Sequence, residues 1–274
     1  MRRTLKRSLA AGVPPAALIA AFVFAGLLAA GALARDGALP PTKKKGVLTV
    51  AIGLGNPGFS EGTIANPHGF SIDASRAVAK RMGLEVRYID YPFARIFVPE
   101  PKPYDVAFQF VTITPQRRRL VDFAAYEIAS SQGVLVAKDI TGRVTLARLR
   151  TLQVCTKEVT TGDAYVRDEL QPKGLVLEYP DAAEALDALS TSICDAFVFD
   201  LPALIAAKQE APDRYGAVAG RVGSTEYYGP VLPKGSRLLP AIDKAITSLR
   251  RDGTFKRLQT KHFGRGLESA PVIH

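Results

Sequence analysis

The densest chemistry in this chain lies in YDVAFQFVTITPQRRRLVDF, residues 104–123, where an apolar run gives way to three consecutive arginines. Thr114 has the side chain of a helix N-cap and Pro115 suits the first helical position. Arg117, Arg118 and Arg119 then fall in a first turn whose free backbone N–H groups already favour negative charge. A guanidinium turned inward there grips a carboxylate through two parallel charge-assisted hydrogen bonds, which a lysine ammonium does not reproduce. The competing reading is a solvated run of charge on a surface turn. Asp200 closes the apolar run 196–199, at the carboxyl end of a strand, where open α/β sheets bind ligands. Its carboxylate can accept hydrogen bonds from an ammonium, or it can cap the helix that Pro202 starts. Thr160, Thr161 and Gly162 open a helix at Asp163, offering hydroxyls and free N–H groups to a second carboxylate, or simply a cap. An arginine turn, a Thr-Thr-Gly helix start and an acid at a strand end are together the parts needed to hold a zwitterion.

Other chemistries find no foothold. Gly53, Gly55 and Gly58 match G-x-G-x-x-G after a strand, but a dinucleotide site needs a helix to open on the last glycine. Here FSEG and NPHG come next, which is loop chemistry, so no cofactor is expected and the glycines read as points where backbone approaches a small ligand. The sequence contains no G-x-S-x-G, H-E-x-x-H or G-x-x-x-x-G-K-[ST]. The histidines His68, His262 and His274 are scattered and there is no C-x-x-C, so no metal site is expected.

These groups must be positioned by an α/β framework. Strand-like runs at 47–52, 85–91 and 104–111 alternate with a helix over 71–82 that Gly83 stops. After a strand at 133–139 the rhythm restarts with LQVCT, a helix over 163–170, LVLEY, a helix over 182–189 and DAFVFD, which implies a second sheet. Two helices, 238–251 and 254–263, separated by Asp252-Gly253, end the chain. The expectation is two lobes, each a mixed, mostly parallel sheet flanked by helices: 46–137 with 225–274, and 138–224.

Residues 1–34 read as an export signal. Arg2, Arg3, Lys6 and Arg7 precede an apolar stretch over 16–30, and Ala32-Leu33-Ala34 supplies a small-x-small cleavage site. An uncleaved N-terminal anchor is the alternative, and either way the bulk of the protein is expected outside the cytoplasm, in the periplasm. Cys155 and Cys194 are the only cysteines, which in an oxidising compartment reads as one disulfide or else a free buried pair. Of the formal charge of +10, four positive residues and no acids lie in the first 34, leaving +6 for the rest. That excess argues weakly for anionic ligands, and its interspersed pattern gives no nucleic-acid stripe.

Several segments, in order, resemble the polar amino-acid-binding proteins of bacterial ABC transporters, the two-lobed type II periplasmic solute-binding proteins. They are HGFSIDASRAVAKRMG (68–83), PYDVAFQFVTITPQRRRLVDF (103–123), VCTKEVTTGDAY (154–165), DAFVFDLP (195–202), EYYGPVLPKGS (226–236) and RRDGTFKRLQTKHFG (250–264). The resemblance implies a monomer that closes on a small ligand, an amino acid or related anion, and delivers it to a membrane permease. It implies that Arg117 clamps the ligand α-carboxylate, with the Thr112 hydroxyl and the Thr161 backbone N–H, and that Asp200 holds the α-amino group. Lys157 occupies a ligand-touching position, Phe93 matches the aromatic lining the pocket, and Cys155 and Cys194 match a bridged pair. The chain departs from the family pattern at Gly53 and Asn56, at Gln109-Phe110 in place of a small pair beside the ligand, at Glu158-Val159 in place of a small residue and a glycine, and at Ala124-Ala125. No covalent chemistry is needed. The rivals are an exported dehydratase of the same fold, for which Glu158 is the odd acid, and an accessory or sensor module of a membrane or dehydrogenase system.

Overall fold

In the computed structural model, which describes residues 40–264 and 266–274, the alternation of strand and helix resolves into two five-stranded mixed sheets. The expected export signal lies outside the described residues. In chain order the strands are β1 (Val47–Ile52), the hairpin β2 (Glu61–Thr63) and β3 (Asn66–His68), β4 (Glu85–Asp90), β5 (Val106–Ala107), β6 (Asp122–Phe123), β7 (Ile128–Val136), β8 (Val154–Lys157), β9 (Leu177–Tyr179), β10 (Ala196–Asp200), β11 (Val218–Tyr228) and β12 (Val231–Leu232). The helices are α1 (Phe70–Met82), α2 (Pro115–Leu120), α3 (Leu146–Leu149), α4 (Thr161–Tyr165), α5 (Ala182–Ser190), α6 (Leu201–Glu210), α7 (Leu239–Arg251), α8 (Thr254–Phe263) and α9 (Gly266–Ser269).

The first sheet has the order β4-β1-β5-β12-β6, with β1 parallel to β4 and β5 and β12 antiparallel to β5 and β6. The second has the order β11-β7-β10-β8-β9, with β8 parallel to β9 and β10 and β7 antiparallel to β10 and β11. Central strands covered on both faces are continuous apolar runs, as β1 is from Leu48 to Ile52 apart from Thr49. Gly83 ends α1 in the left-handed region, φ 72°, and returns its N–H to Ala79 and Lys80 carbonyls.

Three expectations change. The strand read over 104–111 pairs in the first sheet only at Val106 and Ala107. Beyond it Phe110 adopts φ +42°, and residues 111–113 pair with the end of β11 through Ile113 N–H to Tyr227 O (2.8 Å) and Gly229 N–H to Val111 O (3.1 Å). The helix read over 163–170 is α4 followed by one π turn, Val166–Leu170. Residues 128–136, grouped with the first lobe, belong by hydrogen bonding to the second sheet, because β7 is the antiparallel partner of β10 along all of the latter's length.

Cys155 lies in β8 and Cys194 just ahead of β10, its neighbour, so the sheet itself brings their Cα atoms to 5.9 Å and the two form a disulfide. One apolar core runs across both sheets. Phe59, Phe70 and Phe263 from around the first join Phe199, Ala203, Leu204 and Ala206 from the second. Gly58, at φ +69°, is where this contact is closest: a Cβ there would stand 2.7 Å from the Ala206 Cβ and 2.8 Å from the Phe263 ring.

Candidate functional site

The arginine turn folds as its residue types dictate. The Thr114 hydroxyl accepts from the Arg117 N–H at 3.1 Å and Pro115 opens α2. Of the three arginines, Arg118 and Arg119 are exposed and Arg117 turns inward. Its Nη1 donates to the Thr112 carbonyl and its Nη2 to the Val159 carbonyl, both at 3.0 Å, so one guanidinium ties the segment after β5 to the loop after β8. Its plane covers the rings of Phe97 and Phe93, at 4.9 and 5.5 Å from their centroids. Val159 holds the accepting carbonyl at φ +61°, strained for a β-branched residue.

On the facing side, Thr160 is the N-cap of α4, its hydroxyl accepting from the Asp163 N–H at 3.1 Å. The Thr161 hydroxyl is thereby left for the interior, and its Oγ1 lies 3.2 Å from Thr112 Oγ1. Gly162 allows the close approach, since a Cβ would meet Gln132 Oε1 at 2.5 Å. Asp200 ends β10 but its side chain does not cap α6. It accepts instead from Tyr228 Oη at 2.7 Å and Gln132 Nε2 at 3.0 Å. Burial, then the charge of Glu226, pushes the Asp200 carboxyl up to about 7, against the pull of Tyr228, Gln132 and Arg117.

Lys157 ends β8, buried, with Nζ 3.5 Å from Asn56 Oδ1 and over the rings of Phe93 (5.2 Å) and Phe199 (5.9 Å). Burial lowers both the Lys157 ammonium and the Arg117 guanidinium below their ordinary values, with Asp200 the largest charge opposing each shift. Among the described residues no ion pair joins either cation to a carboxylate, so their charge remains available to a ligand.

Arg117, Thr112, Thr161, Asp200, Lys157 and Phe93 thus come together in one buried cluster. Gln109 and Phe110 border it differently. The Gln109 amide donates to the Tyr91 carbonyl at 2.9 Å, and its Oε1 fills the space a Cβ on residue 53 would need, so Gly53 and Gln109 compensate each other. The Phe110 ring stacks on Phe59 at 4.0 Å and meets Phe199 and Tyr228 edge-on, closing the floor of the cluster. Glu158 is exposed, outside this cluster.

Two polar residues escaped the sequence reading. Gln132 follows Ser130 and Ser131 in β7, just ahead of the apolar run 133–136, and its Nε2 lies 3.0 Å from Asp200 and Glu226 oxygens and 3.1 Å from Thr161 Oγ1. Glu226 sits in TEYYG, which reads as surface. A register shift in β11 between Val222 and Glu226 turns its carboxylate inward, a placement no local pattern announces.

The sequence profile of the bacterial extracellular solute-binding proteins, family 3, matches residues 48–265. The chain belongs to that family. This solute-binding protein is 28% identical over 264 residues to the L-cystine-binding protein TcyJ of Escherichia coli (strain K12), spanning 95% of this chain and 96% of the relative. An ancestral arginine-binding protein bound to glutamine superposes with a TM-score of 0.73 at 28% identity, over 81% of this chain and 100% of its own. An ancestral amino acid-binding protein, AncCDT-1, a precursor of cyclohexadienyl dehydratase, superposes at 0.70 with 26% identity, over 80% and 95%. The solute-binding protein shares their two-lobed type II architecture.

Proposed function

We propose that this protein captures an α-amino acid between its two lobes outside the cytoplasm and presents the closed form to the permease of an ABC transporter. The carrying observation is the convergence of Arg117 and Thr112 from one side on Thr161 and Asp200 from the other, with Thr112 and Thr161 hydroxyls 3.2 Å apart. In this reading Arg117, the Thr112 hydroxyl and the Thr161 N–H hold the ligand carboxylate, Asp200 holds the ammonium, and Lys157 and Phe93 border the ligand side chain. The chain passes between the lobes at 124–127 and 229–230, and these crossings act as the hinge. Ligand contacts made by both lobes favour closure through differential affinity. The protein works as a monomer, exported to the periplasm by residues 1–34, and without covalent chemistry. Relatives that bind cystine, arginine and glutamine support an amino acid as the ligand, and Glu158, the odd acid of the dehydratase reading, is exposed outside the cluster.

The test is thermal unfolding of the purified protein, refolded to strip bound ligand, against the common amino acids, cystine and small dicarboxylates, with Arg117→Ala in parallel. A ligand at about 100 times its dissociation constant adds about 2.7 kcal/mol to the native chain. A shift in the native chain that Arg117→Ala loses supports the reading. A panel that shifts neither refutes it and favours an accessory role.

A further inference from the structure

Glu226 places a carboxylate of the protein's own on the Thr112 hydroxyl, one of the donors that the amino-acid reading assigns to the ligand, and a role for it in binding rests on that reading. Three donors converge on one oxygen, Glu226 Oε2: Thr112 Oγ1 at 2.9 Å, Thr161 Oγ1 at 3.0 Å and Gln132 Nε2 at 3.0 Å. Their origin spans the molecule. Thr112 lies in the segment that leaves the first sheet, whereas Thr161 opens α4 and Gln132 lies in β7 of the second. The placement is built in by the backbone, because Thr112 bridges Tyr228, two residues beyond Glu226, and the β11 register shift ends at Glu226 itself.

A hydroxyl carries a single proton. Thr112 therefore cannot donate to Glu226 and to a ligand carboxylate at once. A ligand carboxylate beside Glu226 and Asp200 would also be the third carboxylate in a partly buried site, where like charges repel. We propose that Glu226 is an intramolecular competitor at the edge of the ligand-carboxylate subsite and a determinant of affinity: an incoming amino acid must displace it from the Thr112 hydroxyl. Its side chain leaves the donors when the ligand arrives, and ligands that offer the stronger carboxylate contacts to Arg117 are the ones that win the exchange. The residue therefore raises the threshold for weakly held ligands and supplies a bridge between lobes when none is bound.

The experiment is isothermal titration calorimetry of native protein, Glu226→Ala and Glu226→Gln with the twenty amino acids and cystine, each variant checked for a cooperative thermal transition. Removing a competing charged hydrogen-bond partner tightens binding on the order of ten- to a hundred-fold. Glu226→Ala is expected to show that gain, and Glu226→Gln, uncharged but of the same shape, a smaller gain in the same direction. If Glu226→Ala does not fold, Glu226→Gln alone decides the sign. Equal binding in the variants, while the native chain binds, overturns the displacement, and weaker binding overturns it and makes Glu226 a direct partner of the ligand ammonium. Absence of binding in all three proteins overturns the amino-acid reading and the displacement with it.

Discussion

Ligand binding should be coupled to the ionisation of Asp200, and the structure sets both the sign and the size of the effect. The Asp200 carboxyl is pushed up to about 7 by burial and by Glu226, and it faces Arg117, Lys157, Tyr228 and Gln132. Only its ionised form makes a full charge-assisted bond to an ammonium, so apparent affinity scales with the ionised fraction. With a free-protein value of about 7, that fraction is roughly 90% at pH 8, 50% at pH 7, 9% at pH 6 and 1% at pH 5, so affinity falls about 90-fold from pH 8 to pH 5, or about 2.7 kcal/mol. Binding at pH 7 should release about half a proton, because the ammonium holds the carboxyl ionised. Calorimetry at pH 5, 6, 7 and 8, in buffers of different ionisation enthalpy, measures both quantities. Asp200→Asn should bind weakly and show a flat profile over the same range. An affinity that is constant from pH 6 to pH 8, or proton uptake on binding, would refute the assignment of Asp200 to the ammonium.

Two predictions concern stability. Glu127, at the foot of β7, is buried with Oε2 unpartnered, and burial alone pushes its carboxyl up to about 8. A folded value above the unfolded one means the native state binds the extra proton between about pH 4.5 and 8, so stability falls as pH rises through that window. Glu127→Gln should therefore be more stable at pH 8 by about 4 kcal/mol, with little difference near pH 4, in urea titrations at the two pH values; an equal difference at both would sink the argument. Cys155 and Cys194 close a loop of sequence separation 39. Replacing both with Ser should lower stability by about 4 kcal/mol on loop entropy, readable as a shift in the urea midpoint of the oxidised protein; stabilities within about 1 kcal/mol of each other would contradict it.

Much of the framework was legible because it depends on short-range rules. The cap at Thr114, the stop at Gly83, the strand of 47–52 and the helices of 182–189 and 254–263 follow from propensity, periodicity and turn chemistry, and each lies within a residue or two of its expected place. Where reading failed, the cause was pairing between distant segments. Residues 108–113 look like the continuation of a strand, yet they bend away at Phe110 because 111–113 find partners in β11, more than 110 residues on. The length of β7 was likewise set by β10 and β11, not by its own composition.

The sequence alone determined that the chain alternates strands and helices into two sheets, that its two cysteines were the sole candidates for a bridge, and which residue types suited to a zwitterion lie at helix starts and a strand end. These follow from residue type and spacing, which act locally. The tertiary structure decided which of those residues share a site. It turned Arg117 inward rather than Arg118 or Arg119, Thr161 rather than Thr160, and set the Asp200 carboxylate on Tyr228 and Gln132 instead of capping α6, because each choice depends on what the other sheet presents opposite. It also brought in Glu226, whose inward turn comes from a register shift between two strands and so has no signature in any single stretch of sequence.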